Sequence, residues 1–290
     1  MNILISNDDG VHAPGLLALY KALSVLGEVK VVAPVSEQSG CASALNISQP
    51  LYTHQLSSGF IAVTGSPADC VYLALHHLYR DVKFDCVITG INSGANLGQD
   101  VLFSGTFGAA LTAQLFGLPA IATSLVGGAI KGDGQDQMDG YQLAAAEIVK
   151  ILIETPLLAE LKRLPYHVLN VNIPEVNCAT AVKGRKITRL GHSDIACPVH
   201  PVVDPRGRDA YWLSLRKIPL GTPVVKPNNA DMISEPDANR LADIEVSNQM
   251  LGVTDVQAVA AGYISISPVR VHHTPTDVLN RLSTLMSSYD

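Results

Sequence analysis

The sequence predicts an α/β protein whose core is a doubly wound, mostly parallel sheet. Apolar strand-like runs alternate with helix-like segments over about the first 180 residues. Strands that are apolar on both faces are typical of a sheet covered by helices on both sides. With 47% hydrophobic and 16% charged residues, the chain has enough apolar surface to fold. The 290 residues are expected to form one domain with appendages.

The first three elements predict a parallel pair of strands. "NILIS" at 2–6 and "EVKVVAP" at 28–34 have the composition of strands. Between them, four leucines recur at helical spacing, with Pro14 in the first turn and Gly27 as a stop. A strand, a crossover helix and a second strand of these lengths form a βαβ unit, so the two strands should run parallel.

The same alternation continues to residue 174. Strands are predicted in "FIAVTG", "FDCVITG", "PAIATSLV" and "YHVLNVNIP", and helices in "SPADCVYLALHHLY", "GTFGAALTAQLFG" and "YQLAAAEIVKILIE". The helix in "SPADCVYLALHHLY" has a clear start signal, because Ser66 can act as N-cap, Pro67 follows it, and Asp69 stands at the acidic position of a capping box. Beyond residue 180, "ITRLGH", "AYWLSL" and "GYISISPV" are predicted strands of an antiparallel appendage. "TPTDVLNRLSTLM" is a predicted closing helix, and 216–250 shows no clear pattern.

Composition excludes several functional classes. No apolar run approaches the ~18 residues of a membrane span. The N-terminus lacks the basic region of a signal peptide, so the cytoplasm is the expected compartment. The five cysteines are odd in number and form no CxxC pair, which argues against a disulfide framework or a zinc ribbon. A net charge of −6 disfavours binding to long nucleic acid.

The loop after the first predicted strand carries the first candidate site. In open α/β sheets, ligands bind beyond the carboxyl ends of the strands, and this loop reads Asn7-Asp8-Asp9-Gly10. Two adjacent carboxylates would repel a phosphate by themselves, but they suit a hard divalent cation that bridges to one. An ordinary turn is the alternative interpretation, since Asp and Gly both favour turns.

Two further loops supply small polar residues at the same predicted edge. In the loop at 89–106, Asn92 and Asn96 stand among glycines, and Ser104-Gly105-Thr106 begin a helix. The free N–H groups and the dipole of a helix start favour a phosphate, and simple N-capping is compatible with that role. Ser39-Gly40, after the second strand, is a weaker signal. Because all these groups are oxygen donors, the predicted metal is Mg²⁺, Mn²⁺ or Ca²⁺.

The chain carries a set of specific motifs: "MNILISNDDG" with "APG" just after it, "VVAPVSEQSG", "TGSPADCV", "DCVITGINSGANLGQDVLFSGTFGAA" and "GYISISPV". Together they resemble the SurE family, the stationary-phase survival proteins that are metal-dependent 5'/3'-nucleotidases. The resemblance implies a single domain with a Rossmann-like core of about 1–180 plus 254–290 and an appendage of about 185–253. It also implies a homodimer or homotetramer, built partly through a C-terminal β-hairpin.

The resemblance further implies hydrolysis of nucleoside 5'- and 3'-monophosphates, and of short polyphosphate in some members. One Mg²⁺ or Mn²⁺ per subunit would be held by four residues, and the phosphate would be bound by four others. The implied metal ligands are Asp8, Asp9, Ser39 and Asn92, and the implied phosphate contacts are Asn96, Ser104, Gly105 and Thr106. In the resulting hypothesis a metal-bound water attacks phosphorus, and Asp8 or Asp9 accepts its proton.

Two other functional classes are weighed against this hypothesis. A non-catalytic module that senses metal and nucleotide would use the same loops. The acid pair favours an enzyme, because a pure binder would meet a phosphate with Arg or Lys, and neither occurs in 1–20 or 90–110. An NAD-dependent oxidoreductase is disfavoured, because the first strand is not followed by the glycine fingerprint of dinucleotide-binding folds.

Overall fold

The computed structural model describes residues 1–128, 140–175, 182–192, 199–213, 252–270 and 276–287. The strands in these ranges are β1 (Asn2–Ser6), β2 (Glu28–Pro34), β3 (Thr53–Gln55), β4 (Ile61–Val63), β5 (Cys86–Ser93), β6 (Ala120–Leu125), β7 (His167–Ile173), β8 (Arg185–Ile187), β9 (Val199–Val203), β10 (Asp209–Leu213) and β11 (Ile264–Arg270). Nine of them form one sheet in the order β3-β4-β2-β1-β5-β6-β7-β11-β8. The six strands from β4 to β7 run parallel, which confirms the predicted mostly parallel sheet.

Helices cover both faces of this sheet. In the described ranges they are α1 (Pro14–Leu23), α2 (Pro67–Leu73), α3 (Gly105–Leu115), α4 (Gly140–Glu154), α5 (Leu157–Arg163), α6 (Asp255–Ala260) and α7 (Thr276–Ser287). A π-helical turn at 74–78 extends α2, and a 3-10 turn at 98–102 precedes α3. The core on one face includes residues of α1, α4 and α5, and the core on the other includes residues of α2 and α3. The doubly wound arrangement is confirmed.

The central strand explains why the predicted strands are continuously apolar. Ile3 and Ile5 of β1 belong to the core under α1, whereas Leu4 belongs to the core under α3, and all three are fully buried. Burying each such side chain contributes about 1.5–3 kcal/mol. The predicted capping box is also present, because the Ser66 side chain accepts from the N–H of Asp69 (3.0 Å) and Asp69 accepts from the N–H of Ser66 (2.8 Å).

The prediction from the local pattern that "GYISISPV" belongs to an antiparallel appendage is wrong, whereas the core range of about 254–290 implied by the family resemblance includes this segment. This segment forms β11, which lies in the main sheet and pairs antiparallel with β7. Ile264 and Ile266 join the core, and Ser265 and Ser267 on the opposite face are also buried. The short strand β8 pairs parallel with β11 and so also belongs to the main sheet. A strand's local pattern does not identify its partner, so the alternation alone could not place β11.

The β9–β10 hairpin and α7 expose apolar side chains. The two hairpin strands pair antiparallel as a separate sheet, which confirms a strand within "AYWLSL". Val203, Trp212 and Leu213 are exposed on the hairpin, and Leu279 and Met286 are exposed on α7, the predicted closing helix. None of the described helices is long and apolar enough to cross a membrane. The segment 216–250 lies outside the described residues.

Candidate active site

Three loops meet beyond the carboxyl ends of β1, β2 and β5, which are neighbours in the sheet. The main-chain N–H of Gln38 donates to the carbonyl oxygen of Asp8 (2.7 Å). On the other side, the N–H of Ser93 donates to Oδ2 of Asp9 (3.1 Å). The acid pair that follows β1 is therefore held between the loops of the two adjacent strands, where ligands bind in this class of fold.

The carboxylate of Asp8 is buried against the first turn of α3. Thr106 Oγ1 donates to Asp8 Oδ1, and the main-chain N–H groups of Gly105 and Thr106 also hydrogen-bond to this residue. A Cβ on residue 105 would lie 2.9 Å from the Cβ of Asp8 and 2.8 Å from Sγ of Cys41, so the close approach requires glycine. Burial raises the pKa of Asp8 above its ordinary value, and the hydrogen bonds oppose this rise.

Asp9 is partly buried and also resists ionisation. Burial and the negative charges of Asp8 and Glu37 raise the pKa of Asp9 to about 6, while the hydrogen bond from the N–H of Ser93 lowers it. No cationic side chain of the described residues is among the groups that shift the pKa of Asp8 or Asp9. Two neighbouring carboxyls without a counter-charge form a site that a bound cation would relieve electrostatically.

Asn92 places its neutral side-chain oxygen beside the Thr106 hydroxyl that also contacts Asp8. Its Nδ2 donates to the carbonyl of Gly94 (2.9 Å), which orients the amide, and its Oδ1 lies 3.2 Å from Oγ1 of Thr106. The Thr106 hydroxyl is thus within hydrogen-bonding distance of oxygens from both Asp8 and Asn92. Carboxylate and amide oxygens that converge in this way are the ligands that Mg²⁺ and Mn²⁺ prefer.

The oxygen atoms at this site fit a hard divalent cation if neutral oxygens are counted as ligands together with the two carboxylates. Within the described ranges, no group of three or more His, Cys, Asp or Glu side chains is arranged to hold a metal. Asp8 and Asp9 could supply two charged ligands, and Asn92 could supply a neutral one. Mg²⁺ commonly binds through one or two carboxylates and keeps several waters, so this set is sufficient for it.

Ser39 is positioned differently from the other predicted metal ligands. Ser39 is exposed, and its Oγ donates to Oε1 of Glu37 (2.7 Å). The loop that carries it is nevertheless held at the site, because the neighbouring Gln38 is bonded to the main chain of Asp8. The bond to Glu37 uses the hydrogen of the Ser39 hydroxyl and leaves the lone pairs of its oxygen available to a cation.

The predicted phosphate-binding turn forms the start of α3. Ser104 is the N-cap, and its Oγ accepts from the N–H of Phe107 (3.0 Å). The carbonyl of Thr106 accepts from the hydroxyl of Thr89 (2.7 Å), which ties the turn to β5. The N-terminus of α3 therefore lies directly beside the acid pair, and the positive end of its dipole favours negative charge there.

Asn96 is held in a buried polar network. Its Nδ2 donates to Oγ of Ser124 (3.0 Å). Its main-chain N–H donates to Oδ1 of Asn172 (2.8 Å), and its carbonyl accepts from the amides of Asn170 (2.8 Å) and Asn172 (3.0 Å). The bond to Ser124 orients the Asn96 amide and uses one of the two hydrogens of its Nδ2.

Sequence reasoning missed the residues that hold the 94–98 segment. Asn170 and Asn172 stand on β7, and Oδ2 of Asp255 at the start of α6 accepts from the N–H of Gly98 (2.8 Å). The alternation of asparagines with aliphatic residues in "LNVNI" was the available signal, because it places two amides on one face of a buried strand.

Comparison with known proteins identifies the family. The model of the family described as survival protein SurE matches residues 3–196, about two thirds of the chain. The chain belongs to the SurE family. It is 66% identical to the protein named 5'-nucleotidase SurE of Psychrobacter cryohalolentis, over 99% of this chain and 100% of that one. It is 42% identical to the protein of the same name from Acinetobacter baylyi, over 98% and 99% of the two chains.

A solved SurE structure has the same fold. The crystal structure of the SurE protein from Aquifex aeolicus superimposes with a TM-score of 0.71 at 30% sequence identity. The superposition covers 99% of this chain and 100% of that chain. The resemblance drawn from the sequence motifs is therefore confirmed at the level of family and fold.

Proposed function

We propose that this protein is a metal-dependent phosphomonoesterase that hydrolyses nucleoside 5'-monophosphates, and 3'-monophosphates, to nucleoside and phosphate. The observation that carries the proposal is the pair of buried Asp8 and partly buried Asp9, which has no cationic partner in the described residues and lies beside the N-terminus of α3. The name 5'-nucleotidase that its relatives bear supports the same activity. Short polyphosphate is a further proposed substrate.

Different residues of the chain would bind the cation and the phosphate. Asp8, Asp9, Ser39 and Asn92 would hold one Mg²⁺ or Mn²⁺, and the Ser39 oxygen can take part while its hydrogen is donated to Glu37. A bound divalent ion polarises a phosphate oxygen and lowers the pKa of a bound water. The first turn of α3, at Ser104, Gly105 and Thr106, would place the positive end of the helix dipole next to the charge that develops on the phosphate oxygens.

Proton transfer falls to the acid pair itself. One of these two carboxylates would accept the proton of the attacking water. Asn96 contributes by fixing the main chain of the segment between Asn92 and α3, since its amide is bonded to Ser124. The alternative of a sensing module that binds the nucleotide without cleaving it predicts the same contacts but no released phosphate.

Phosphate release from a panel of nucleotides tests the proposed function. We expect protein treated with EDTA to release no phosphate from 5'- or 3'-nucleoside monophosphates, and added Mg²⁺ or Mn²⁺ to restore release. Short polyphosphate is assayed in parallel. Binding of metal and nucleotide without release would favour the sensing module and contradict the enzyme.

We further propose that the protein is a homodimer or homotetramer whose subunits contact through the hairpin and α7. Both elements expose apolar side chains, among them Trp212 and Leu213 on the hairpin and Leu279 and Met286 on α7. Exposed apolar faces of this kind mark sites of association. We expect light scattering to give a mass two or four times that of the chain, and Trp212→Ser to lower it. A monomeric mass for the unmodified protein would contradict the proposal.

A further inference from the structure

A fully buried carboxylate lies at the start of α6, far along the chain from the acid pair. Asp255 is 0% exposed, and it makes no ion pair with any residue that the structure describes. Its oxygens instead accept three main-chain hydrogen bonds, to Oδ2 from the N–H of Gly98 (2.8 Å) and to Oδ1 from the N–H groups of Gly191 (2.8 Å) and Val256 (2.8 Å). A buried charge is costly unless it is hydrogen-bonded, so these three bonds stabilise Asp255 in its place.

The Asp255 carboxylate joins two segments that are far apart in the sequence. Gly98 follows β5, and Gly191 follows β8. The N–H of Asp255 donates to the carbonyl of Arg189 (2.9 Å), which anchors α6 to the segment after β8. A Cβ on residue 98 would lie 2.5 Å from the carbonyl oxygen of Gly191, and Gly98 has a φ of +57°, so this contact requires glycine. The two segments therefore pack directly against each other beside Asp255.

Gly98 also leads directly to the proposed phosphate-binding turn. It is buried and is the first residue of the 3-10 turn at 98–102. The N–H of Ser104, the N-cap of α3, donates to the carbonyl of Asp100 (3.1 Å) in that turn. One hydrogen-bonded turn therefore connects Gly98 to the start of α3, where Thr106 contacts Asp8. A shift of Gly98 would move the start of α3 relative to the acid pair.

Two different elements hold the segment that contains Gly98. Asn172 of β7 is bonded to the main chain of Asn96, and Asp255 of α6 is bonded to the main chain of Gly98. Glycine has more conformational freedom than any other residue, so the bond to Asn96 does not by itself determine where Gly98 lies. The hydrogen bond to Asp255 supplies the second fixed point.

We propose that Asp255 is a positioning residue of the enzyme, whose carboxylate fixes Gly98 and thereby sets the position of the start of α3 beside the acid pair. This role rests on the proposed nucleotidase function and adds a residue from the C-terminal part of the chain to its phosphate site. Asp255 is fully buried and acts through Gly98 and the 3-10 turn. Its loss should therefore weaken the binding of phosphate and leave the cation ligands in place.

Steady-state kinetics of Asp255→Asn test the positioning role. Asparagine has one side-chain oxygen instead of two, so the N–H of Gly98 or of Gly191 would face an NH₂ group. We expect kcat/KM for nucleoside monophosphates to fall about a hundredfold, since a misplacement of about 1 Å can cost that factor. We expect the inhibition constant of inorganic phosphate to rise about fivefold, which is the scale of an interaction with a helix terminus.

Metal binding and a matched control separate positioning from a general loss of stability. The increase in melting temperature that Mn²⁺ gives should be as large in Asp255→Asn as in the wild type. Thr254→Ala removes the N-cap of α6, where Thr254 Oγ1 accepts from the N–H of Gln257 (3.2 Å), but it leaves the bond to Gly98. This control should lose stability and keep wild-type kcat/KM and phosphate inhibition at a temperature where it is folded.

A milder variant tests the same contact if Asp255→Asn does not fold. A Cβ on residue 191 would lie 3.1 Å from Oδ1 of Asp255, so Gly191→Ala should displace the carboxylate slightly without removing it. We expect kcat/KM to fall and phosphate inhibition to weaken, both by less than in Asp255→Asn. Wild-type values of both quantities in the folded variants, or losses of equal size in Thr254→Ala, would overturn the positioning role.

Direct binding of inorganic phosphate distinguishes the positioning role from the proposed function. Calorimetry on the Mn²⁺-loaded protein measures this binding without turnover. If the wild type hydrolyses no nucleotide but binds phosphate about fivefold more tightly than Asp255→Asn, the positioning role stands although the proposed catalytic function has failed. If the wild type hydrolyses nucleotides and Asp255→Asn and Gly191→Ala bind phosphate equally well, the positioning role fails and the proposed function stands. A wild type that binds no phosphate would also overturn the positioning role.

Discussion

We expect Asp8→Asn to lower nucleotidase activity by about a thousandfold or more without destabilising the metal-free protein. The substitution keeps the shape of the side chain and an acceptor for Thr106 Oγ1, but it removes one of the two charges that would hold the cation. Metal catalysis supplies several kcal/mol of transition-state stabilisation, and each ~1.4 kcal/mol lost is a tenfold loss in rate. Phosphate release at saturating nucleotide and metal measures the effect.

Stability separates a metal ligand from a merely structural acid. Burial raises the pKa of Asp8, and the charge of Asp8 contributes to the raised pKa of Asp9, so the metal-free site is electrostatically strained. Asp8→Asn relieves that strain, and the metal-free melting temperature should stay constant or rise. The increase in melting temperature that Mg²⁺ or Mn²⁺ gives to the wild type should disappear in the variant.

The free energy of unfolding of the metal-free protein should depend on pH, because the pKa of Asp9 differs between the folded and unfolded states. The pKa of Asp9 is raised from 3.8 to about 6, so between these values the folded protein binds protons that the unfolded chain has released. The free energy of unfolding of the metal-free wild type should therefore fall as pH rises from about 4 to about 6. The fall should be smaller in Asp8→Asn, because one cause of the shift is removed. Urea unfolding across this pH range measures it.

An exposed acid provides the control for these measurements. Asp81 is almost fully exposed and far along the chain from the acid pair, and its only ion pair is with the exposed Arg80 in the described residues. Asp81→Asn should keep wild-type activity, the metal-dependent rise in melting temperature and the pH profile. Near wild-type activity in Asp8→Asn, with its metal response intact, would show that the cation is not bound at the acid pair.

The location of the site could be predicted from the sequence because it follows from topology. A βαβ unit at the start of the chain makes β1 and β2 parallel, so their following loops must lie at one edge of the sheet. The same rule brings the loop after β5 to that edge. Asp8, Asp9 and Asn92 could therefore be grouped before any contact was known, and their oxygen chemistry predicts a hard divalent cation.

The arrangement of individual groups within the site could not be predicted. Whether Ser39 faces the acid pair or Glu37 depends on one side-chain rotation, and residue spacing carries no information about it. The position of β11 beside β7 depends on long-range pairing, which the local alternation of "ISISPV" does not specify. The network around Asn96 joins residues more than seventy positions apart, so no local motif includes both partners.

That network leads to the second large effect, in which Asn172→Ala lowers both stability and activity. The Asn172 side chain is fully buried, and it accepts from the N–H of Asn96 (2.8 Å) and donates to its carbonyl (3.0 Å). Alanine leaves the N–H of Asn96 buried without its partner and opens a small cavity. We expect the free energy of unfolding to fall by about 2–4 kcal/mol, measured by urea unfolding at fixed pH.

A substitution at the residue paired with Asn172 in the sheet separates the effect of the lost hydrogen bonds from the effect of lost buried volume. Ser265 of β11 lies directly opposite Asn172, is equally buried, and its hydroxyl has no hydrogen-bond partner among the described residues. Ser265→Ala therefore removes a polar group that makes no bond, and it should leave stability unchanged or slightly raised. Because Asn172 fixes the main chain of the segment between Asn92 and α3, Asn172→Ala should also lower kcat, whereas Ser265→Ala should not. Equal losses of stability in the two variants would mean that the buried volume of this strand pair matters and the bonds to Asn96 do not.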